Sequence, residues 1–417
     1  MRLDQGALFS RASTDPELLW KLRGFDGTVR IGLGQQMIDL IIEGGSLIAL
    51  GNGEGDATVT LAESAEFWDN ALMSKPERGY EKFFFNLKGD WIKDVAPYVG
   101  AWMRLFHIVR ETANGRSLEI PGITDPFIDS DDPVGRYVRY SVDGTEYRVY
   151  YETAGSGPIP VLLLHTAGAD ARQWRHLLAD PELQRRYTLV ALDLPYHGKS
   201  IPPTTARWWE GKMVFTKEIL EGWIVGFIDA ISLDRPIFVG CSVGGQLASD
   251  LCADHPEKIR GAVGINGLYH MDNFDKFDND MFRDPRVPAE LFGTMNFGAT
   301  SLFGPEPFRR ELYWIYKANF PGVYAADNEY FMHGHDLRKN GHLIDTTKTP
   351  LTILNGEYDL SQGAPDAGGQ KIAEMIPGVK YRTMIGQSHF APTDDPLGFR
   401  EWLIPALDEV AADSTPT

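Results

Sequence analysis

The stretch Val239-Gly240-Cys241-Ser242-Val243-Gly244-Gly245 places one serine between glycines, where an apolar segment gives way to a helical one. The apolar run "RPIF" comes directly before it, and "QLASDLCADHPEKI", which has the pattern of a helix, follows it. Gly-x-Ser-x-Gly at such a junction is typical of a strained turn that presents its serine for chemistry, because the glycines relieve the crowding around it. The same pentapeptide also occurs as a plain structural turn. Other parts of the sequence are needed to distinguish a catalytic turn from a structural one.

The chain from about residue 136 onward predicts an α/β domain with a mostly parallel sheet. Asp143-Gly144 joins the two strands of a hairpin, "RYVRYSV" and "TEYRVYYETA". Further apolar runs follow, most of them separated by helical segments; they are "IPVLLLHTAG", "YTLVALDLP", "PIFVGCS", "RGAVGING", "PLTILNG" and "VKYRTMIG". Continuous apolar strands indicate a sheet that helices cover on both faces. We assign residues 136–268 and 349–417 to this α/β core.

Three further segments complete the predicted organisation. Residues 1–112 show strands and then helices, the pattern of a small α+β domain, with Ser64 as a candidate helix N-cap. Residues 113–135 contain prolines and acidic residues without periodicity, which indicates a linker. Residues 269–348 carry no comparable strand and are rich in aromatic residues. We expect this last segment to form a mostly helical lid over the carboxyl edge of the sheet.

Composition argues against several classes of protein. The formal net charge of −18 disfavours nucleic acid or an anionic membrane surface as a partner, because both bind basic patches. We find neither an apolar segment of signal-peptide type nor an apolar run of about 18 residues, so we expect no membrane insertion. Cys241 and Cys252 predict ordinary packed thiols and a reducing, cytoplasmic location. Neither His333-Gly334-His335 nor the acidic "DNFDKFDND" has the spacing of a metal site, so we expect no metal and no cofactor.

Candidates for a catalytic base and acid stand at the ends of two later strands. A serine hydroxyl is a weak nucleophile and needs a base, usually a histidine that a carboxylate orients. Asp359 follows the run "PLTILNG" and His389 follows "YRTMIG", which is the chain order that a nucleophile turn of this type requires. Because ligands bind at the carboxyl ends of parallel strands, we expect both residues to lie near Ser242. Glu357 and Asp366 remain alternative acids.

An oxyanion formed at Ser242 needs two backbone N–H donors. Val243, directly after the serine and at the start of a helix, is the first candidate. The loop in "LLLHTAGADARQW" supplies the second; Ala167 is the preferred donor and Thr166 the alternative. We interpret His165, in the same loop, as a structural hydrogen-bonding residue.

From about residue 136 to residue 410 the sequence resembles the α/β-hydrolase superfamily. "HTAG" resembles that family's His-Gly-x-Gly oxyanion loop, with Thr166 in place of the first glycine. "DLPYHGKS" resembles its Asp-x-x-Gly-x-Gly-x-Ser turn, with Pro195 and His197 as departures. "GCSVGG" and "GQSHFAPTDDP" are similar to its nucleophile turn and histidine loop. The resemblance implies an α/β-hydrolase fold with a lid, and hydrolysis through an acyl-enzyme by a catalytic triad of Ser242, His389 and Asp359.

The N-terminal region bears a second resemblance, carried by shorter motifs. "FDGTVRIGLG", "DATVTLAESAEFWDNALM" and "FNLKGD" are similar to a sterol-carrier-protein-like domain, a family that binds lipidic ligands in an apolar tunnel. The alternative is a small α+β domain that serves in dimerisation or forms an extra wall of the hydrolase pocket.

These observations predict a serine hydrolase that cleaves a carboxylic ester or lactone with an apolar or aromatic portion. The side chains expected to line the substrate pocket are all aromatic: Trp174, Tyr196, Phe297, Trp314 and Tyr330. A carbon–carbon bond hydrolase acting on a diketone-type ring-fission product would use the same triad. Another alternative is a non-catalytic protein that binds a lipid or a small molecule in the same fold. The sequence leaves open the natural substrate, whether the protein forms a homodimer, and the role of the N-terminal domain.

Overall fold

The computed structural model describes residues 2–77, 80, 83, 86–115, 130–272, 279–301, 303–359 and 366–414. Most of the predicted linker and the middle of "DNFDKFDND" lie outside these described residues. The chain divides into two compact units. Unit 1 comprises Met1–Ile123 and Pro285–Ala299, and unit 2 comprises Thr124–Asp284 and Thr300–Thr417.

Strands and helices are numbered along the chain. The strands are β1 (Gly27–Leu33), β2 (Gln36–Glu43), β3 (Ser46–Gly51), β4 (Val59–Glu63), β5 (Val134–Val142), β6 (Thr145–Ala154), β7 (Ile159–Leu164), β8 (Tyr187–Leu192), β9 (Ile237–Cys241), β10 (Gly261–Ile265), β11 (Leu351–Gly356) and β12 (Lys380–Met384). The α-helices are α1 (Gln5–Ala12), α2 (Pro16–Lys21), α3 (Ala65–Ala71), α4 (Val99–Asn114), α5 (Arg175–Leu178), α6 (Pro181–Arg186), α7 (Lys217–Ala230), α8 (Val243–Asp254), α9 (Ala289–Gly298), α10 (Glu306–Lys317), α11 (Val323–Glu329), α12 (Leu337–Asn340), α13 (Gly369–Met375), α14 (Ala391–Asp394) and α15 (Pro396–Asp413). Within the described ranges, none of the helices has both the length and the apolar character needed to cross a membrane.

Unit 1 contains both a sheet and helices, as predicted, but helices α1 and α2 precede its strands and were not predicted from the sequence. Its sheet has the strand order β3-β2-β1-β4, in which β1 pairs antiparallel with β2 and parallel with β4. Ser64 caps α3 as expected, since its hydroxyl accepts the N–H of Phe67 at 3.1 Å. Helix α4 begins at Val99, shortly after Pro97, because proline lacks the N–H that a continuous helix would need there.

Aromatic rings fill the interior of unit 1. The ring centroids of Phe83 and Phe106 are 3.9 Å apart, and Phe25 meets Trp102 edge to face at 5.0 Å. A cavity beside Trp68 has a volume of about 20 Å³, which is room for a water molecule and not for a lipid. The sterol-carrier-like resemblance stays a prediction.

Helix α9 belongs to unit 1, although it falls within residues 269–348, the segment predicted as a lid. It packs on α4, and Gly298 lies so close to that helix that an added Cβ would be 2.9 Å from Cε of Met103. Helices α10, α11 and α12 from the same segment belong to unit 2. The segment is therefore divided between the two units, because α9 packs with the N-terminal helices.

Unit 2 contains a sheet with the strand order β12-β11-β10-β9-β7-β8-β6-β5. Strands β7 to β12 pair in parallel, whereas β6 is antiparallel to both β5 and β8. The predicted hairpin turn is present, with φ of 47° at Asp143 and 78° at Gly144, as two-residue hairpin loops require. The predicted α/β class with a mostly parallel sheet is confirmed.

Apolar side chains cover both faces of this sheet. Leu162 and Leu164 belong to one buried cluster, whereas their neighbours Val161 and Leu163 belong to another. Successive residues of a strand point to opposite faces, so the central strands are buried on both sides. Residues that follow β9, β10, β11 and β12 lie at one edge of the sheet, because these strands run parallel.

Candidate active site

Ser242 occupies a strained turn between β9 and α8. Its φ of 59° and ψ of −111° lie outside the regions that residues other than glycine usually adopt. A Cβ added to Gly240 would lie 2.3 Å from the carbonyl oxygen of Gly244, so only glycine fits at this crossing. The N–H of Ser242 donates to the carbonyl of Ile265 at 2.8 Å, which attaches the turn to the end of β10. Such strain persists only where the surroundings hold it, and it concentrates at functional sites.

His389 and Asp359 form a hydrogen-bonded pair at the ends of neighbouring strands. Asp359 follows β11, His389 follows β12, and Nδ1 of the histidine contacts Oδ2 of the aspartate. The Asp359 carboxyl group is buried, with 1% of the residue exposed. Of the two alternative acids, Glu357 instead accepts the N–H of Gly386 at 2.9 Å, and Asp366 is exposed. The geometry therefore favours Asp359 as the carboxylate that orients His389.

Cys241, the residue before the serine, connects the turn at Ser242 to the loop that carries His389. Sγ of Cys241 donates to the backbone carbonyl of His389 at 3.3 Å. The Cys241 side chain is buried, and burial raises its pKa well above the ordinary value for a thiol. Burial likewise raises the pKa of Cys252, so both cysteines are protonated, packed thiols, as expected.

Asn266, directly after β10, holds the loops of both His389 and Asp359, and sequence reasoning missed it. Its Nδ2 donates to the carbonyls of Ser388 and His389 at 3.1 and 2.9 Å, and its Oδ1 accepts the N–H of Gly356 at 2.8 Å. Its φ is 54°, which asparagine tolerates better than most residues. The signal was available, since Asn266 ends the apolar run "RGAVGIN" just as Asp359 and His389 follow theirs.

The two preferred oxyanion donors have N–H groups that the described parts of the protein leave without an acceptor. These are the backbone N–H groups of Val243, at the start of α8, and of Ala167. Thr166, the alternative donor, differs because its N–H donates to Oε1 of Gln173 at 2.8 Å. The geometry thus favours Ala167 over Thr166.

His165 has both ring nitrogens engaged with the backbone, as expected for a structural residue. Nδ1 donates to the carbonyl of Thr166 at 2.8 Å, and Nε2 accepts the N–H of Leu194 at 3.2 Å. Burial, together with the neighbouring charge of His197, lowers the pKa of His165 to about 4. The ring is therefore a neutral imidazole that supports the loop.

The five aromatic residues predicted to line a pocket lie in different environments. Trp174 and Tyr330 are fully buried in two different apolar clusters, so they are core residues. Trp314 is 61% exposed beside Lys317, and Phe297 lies on α9 in unit 1. The prediction is corrected for Trp174, Tyr330 and Trp314, because aromatic content alone does not distinguish a core or a surface position from a pocket wall. For Phe297 it stays a prediction. Tyr196 remains a candidate: it is half-buried, and its ring lies near Phe215, Trp223 and Phe320.

Comparisons with curated proteins cover the middle of the chain. Residues 159–307 match the family model described as "alpha/beta hydrolase fold". The 2-hydroxy-6-oxononadienedioate/2-hydroxy-6-oxononatrienedioate hydrolase of Burkholderia vietnamiensis is 30% identical over 149 residues, which is 35% of this chain and 49% of the relative. The dihydrolipoyllysine-residue acetyltransferase component of the acetoin cleaving system of Cupriavidus necator is 35% identical over 129 residues, 31% of either chain. The chain thus spans about half or less of the length of these relatives.

Solved structures share the fold over two thirds of the chain. A thermophilic esterase from Thermogutta terrifontis matches with a TM-score of 0.55 at 17% identity, over 66% of this chain and 99% of that chain. The enol-lactonase from Burkholderia xenovorans LB400 matches with a TM-score of 0.50 at 20% identity, over the same two shares. Together with the family model, these likenesses define unit 2 as an α/β-hydrolase-fold domain. The predicted α/β-hydrolase fold is confirmed for unit 2, and the family match supports the resemblance of this region to the superfamily.

Proposed function

We propose that this protein is a serine hydrolase that cleaves a carboxylic ester or lactone through an acyl-enzyme. The observation that carries the proposal is the combination of a serine held at positive φ with a histidine–carboxylate pair at the same sheet edge. A turn that served only to connect a strand to a helix would not need a strained serine, and it would not need this pair beside it.

Acylation begins when Oγ of Ser242 attacks the carbonyl carbon of the substrate. Because Nδ1 of His389 is held by Asp359, Nε2 is the nitrogen that takes the serine proton. The N–H groups of Val243 and Ala167 stabilise the tetrahedral oxyanion. The imidazolium then gives its proton to the leaving oxygen, and the bond between the carbonyl carbon and that oxygen breaks.

Deacylation repeats these steps with water. His389 takes a proton from the water molecule while its oxygen attacks the acyl carbon, and the same two N–H groups hold the second oxyanion. The bond to Ser242 breaks, the serine regains its proton from His389, and the carboxylic acid leaves. Asp359 keeps the histidine tautomer and stabilises the imidazolium in both halves of the reaction.

A neutral ester or lactone agrees with the charges near the catalytic loops. Asp394, which accepts the hydroxyl of Ser388, is buried, and burial raises its pKa to about 6. Asp359 is a second buried carboxyl group, and the buried imidazole of His197 is already paired with the carboxylate of Asp327. A substrate carboxylate beside these groups would add a negative charge next to two buried carboxyl groups, which is costly.

Carbon–carbon bond hydrolysis is the second candidate, and the named relative from Burkholderia vietnamiensis favours it. The same serine, histidine and aspartate would attack a ketone and release a carbon leaving group after its protonation. The buried carboxylates argue for a neutral diketone over a dioate as the substrate in this case.

The experiment compares the wild type with Ser242→Ala on two substrate classes. The first is p-nitrophenyl butyrate with a panel of longer p-nitrophenyl esters and lactones, and the second is a neutral vinylogous 1,5-diketone. We expect the wild type to turn over esters and to be labelled by a fluorophosphonate, and the variant to lose at least about 10³-fold of kcat and all labelling. Ser249→Ala, which changes a buried serine of α8, is the matched control and should keep both properties.

Each outcome selects one function. Turnover of the diketone in preference to all the esters supports carbon–carbon bond hydrolysis. Unchanged turnover by Ser242→Ala overturns the serine mechanism. Labelling without turnover of either class rejects both substrate proposals while keeping the nucleophile, and absence of both turnover and labelling favours a non-catalytic binding protein.

A further inference from the structure

The peptide groups around Ala167 are fixed on both sides. The carbonyl of Thr166 accepts Nδ1–H of His165 at 2.8 Å and the N–H of Ala169 at 3.1 Å. In a trans peptide the N–H points opposite to the preceding carbonyl, so holding the Thr166 carbonyl sets the direction of the Ala167 N–H. On the other side, the N–H of Gly168 donates to Oδ2 of Asp327 at 2.7 Å. The Ala167 N–H is thus directed by neighbours and carries no acceptor of its own in the described chain.

Asp327 reaches this loop from α11 and is paired there with a buried histidine. Its residue is 1% exposed, and its Oδ2 lies 2.8 Å from Nε2 of His197. Nδ1 of His197 faces the carbonyl of Pro195 at 3.0 Å. Because both ring nitrogens face acceptors, both carry protons, and the ring is an imidazolium. Burial lowers the pKa of His197, but the carboxylate of Asp327 outweighs this effect and the net shift is upward.

Two departures from the superfamily pattern are explained by these contacts. Thr166 stands where the family has glycine, and its hydroxyl lies 2.5 Å from the hydroxyl of Tyr316 on α10. His197 is a departure in the turn after β8 and pairs with Asp327 on α11. Both partners come from the helices inserted between β10 and β11. The insertion is therefore attached to the oxyanion loop through side chains that the core pattern alone does not call for.

The loop also has no room to shift towards the insertion. A Cβ added to Gly168, whose φ is 64°, would lie 2.4 Å from Oδ1 of Asn319 and 2.9 Å from the ring of Tyr324. This close approach favours glycine at position 168, whose N–H donates to Asp327 at 2.7 Å.

We infer that Asp327 and His197 are positioning residues for the oxyanion donor, and that the insertion acts by holding the Ala167 N–H in place for the transition state. The inference rests on the proposed serine-hydrolase function. Neither Asp327 nor His197 is proposed to touch the substrate. Their effect passes through Gly168 to Ala167, so it should appear in the stabilisation of the tetrahedral oxyanion and not in binding of the ground state.

The test compares Asp327→Ala with Asp327→Asn and His197→Gln. The readouts are kcat and KM for p-nitrophenyl butyrate per fluorophosphonate-titrated site, and the inhibition constant of an aryl trifluoromethyl ketone, which forms a tetrahedral adduct with a serine. We expect Asp327→Ala to lower kcat by roughly 10- to 100-fold with KM changed less than about 3-fold, since loss of a whole oxyanion donor costs about 10²–10³-fold. The ketone should bind more weakly by the same factor. Asp327→Asn keeps an acceptor for the Gly168 N–H and should recover part of the loss.

A second buried pair in unit 2 provides the matched control. Oδ2 of Asp250 lies 2.8 Å from Nδ1 of His335, both side chains are inaccessible to solvent, and Nε2 of His335 faces the carbonyl of Leu268 at 2.8 Å. Asp250→Ala therefore breaks the same chemistry away from the oxyanion loop, and its kcat per titrated site should stay within about 3-fold of the wild type.

Wild-type kcat and ketone affinity in Asp327→Ala, or an equal loss in Asp250→Ala, would overturn the inference. If Asp327→Ala does not fold, Asp327→Asn and His197→Gln decide it by the same two readouts. Failure of the proposed function looks different, because the wild type itself would then show neither ester turnover nor fluorophosphonate labelling.

Discussion

Replacing Asn266 by alanine should slow the proposed reaction far more than it weakens binding. The side chain makes three hydrogen bonds: two to the backbone carbonyls of Ser388 and His389, at 3.1 and 2.9 Å, and one from the N–H of Gly356 at 2.8 Å. Gly356 opens the turn that carries Asp359, whose own N–H donates back to the Gly356 carbonyl at 3.0 Å. One side chain therefore sets the spacing between the proposed base and its carboxylate.

The expected magnitudes follow from these bonds. At about 1 kcal/mol net for each hydrogen bond, loss of the side chain lowers the free energy of unfolding by roughly 3 kcal/mol. At about 2–4 °C per kcal/mol, the Tm falls by about 6–12 °C. A displacement of about 1 Å in a catalytic group costs about 100-fold in rate, so a shift of part of that distance at His389 should lower kcat by roughly 10- to 100-fold.

The assay separates positioning from stability. The value of kcat for p-nitrophenyl butyrate is measured per fluorophosphonate-titrated site, and the Tm is measured by calorimetry. Asn114→Ala is the matched control, because Nδ2 of Asn114 also donates to two backbone carbonyls, those of Leu72 and Arg110, but in unit 1. A kcat per site within about 2-fold of the wild type in Asn266→Ala, despite a lowered Tm, would show that Asn266 only stabilises the fold.

Two further predictions concern the turn at Ser242 and the buried pair of Asp250 and His335. Gly240→Ala should cut fluorophosphonate labelling by at least about 10-fold and destabilise unit 2 by about 1–3 kcal/mol, because its Cβ would lie 2.3 Å from the carbonyl oxygen of Gly244. Gly211→Ala, whose Cβ would meet nothing within 4 Å, should do neither, and normal labelling of Gly240→Ala would contradict the proposed turn geometry. Burial lowers the pKa of His335, but Asp250 raises it above its ordinary value, so the stabilisation by this pair is complete below about pH 6.5 and is lost as the pH rises through the raised pKa. Between about pH 7 and pH 9, a range above the ordinary histidine pKa, the Tm of the wild type should therefore fall more steeply than that of His335→Gln. Equal slopes would contradict the charged pair.

Much of the candidate site could be located from the sequence, because the relevant information is local. A serine between glycines after an apolar run marks a strand-to-helix turn, and the structure has Ser242 at such a turn with φ of 59°. Asp359 and His389 were identified because each directly follows an apolar strand. Parallel strands bring their carboxyl ends to one edge, so three positions far apart in the chain are expected at the same edge without any knowledge of side-chain contacts.

The pocket residues and the residues that support the site could not be predicted correctly, because their roles depend on contacts with distant parts of the chain. Trp174 and Tyr330 looked like pocket residues and are core residues, because an aromatic side chain has the same sequence signature in either place. Asn266 ends a predicted strand, yet its role depends on carbonyls 122 and 123 positions further along the chain. Helix α9 was assigned to the lid, and its packing on α4 depends on a partner from the N-terminal region.

The sequence by itself determined the class of fold, the strand-to-helix turn at Ser242 and the order of the candidate triad, since all of these follow from short patterns and from strand order. Only the tertiary structure decided which backbone N–H groups remain free and what holds them. Thr166 and Ala167 are adjacent, and their backbone N–H groups cannot be told apart from the sequence. In the structure, the Gln173 side chain accepts the Thr166 N–H, whereas the Ala167 N–H has no acceptor among the described residues. The contact between Gly168 and Asp327 spans 159 positions and joins an insertion to the loop that carries Ala167. Such pairings depend on the folded arrangement of distant segments, and no local pattern encodes them.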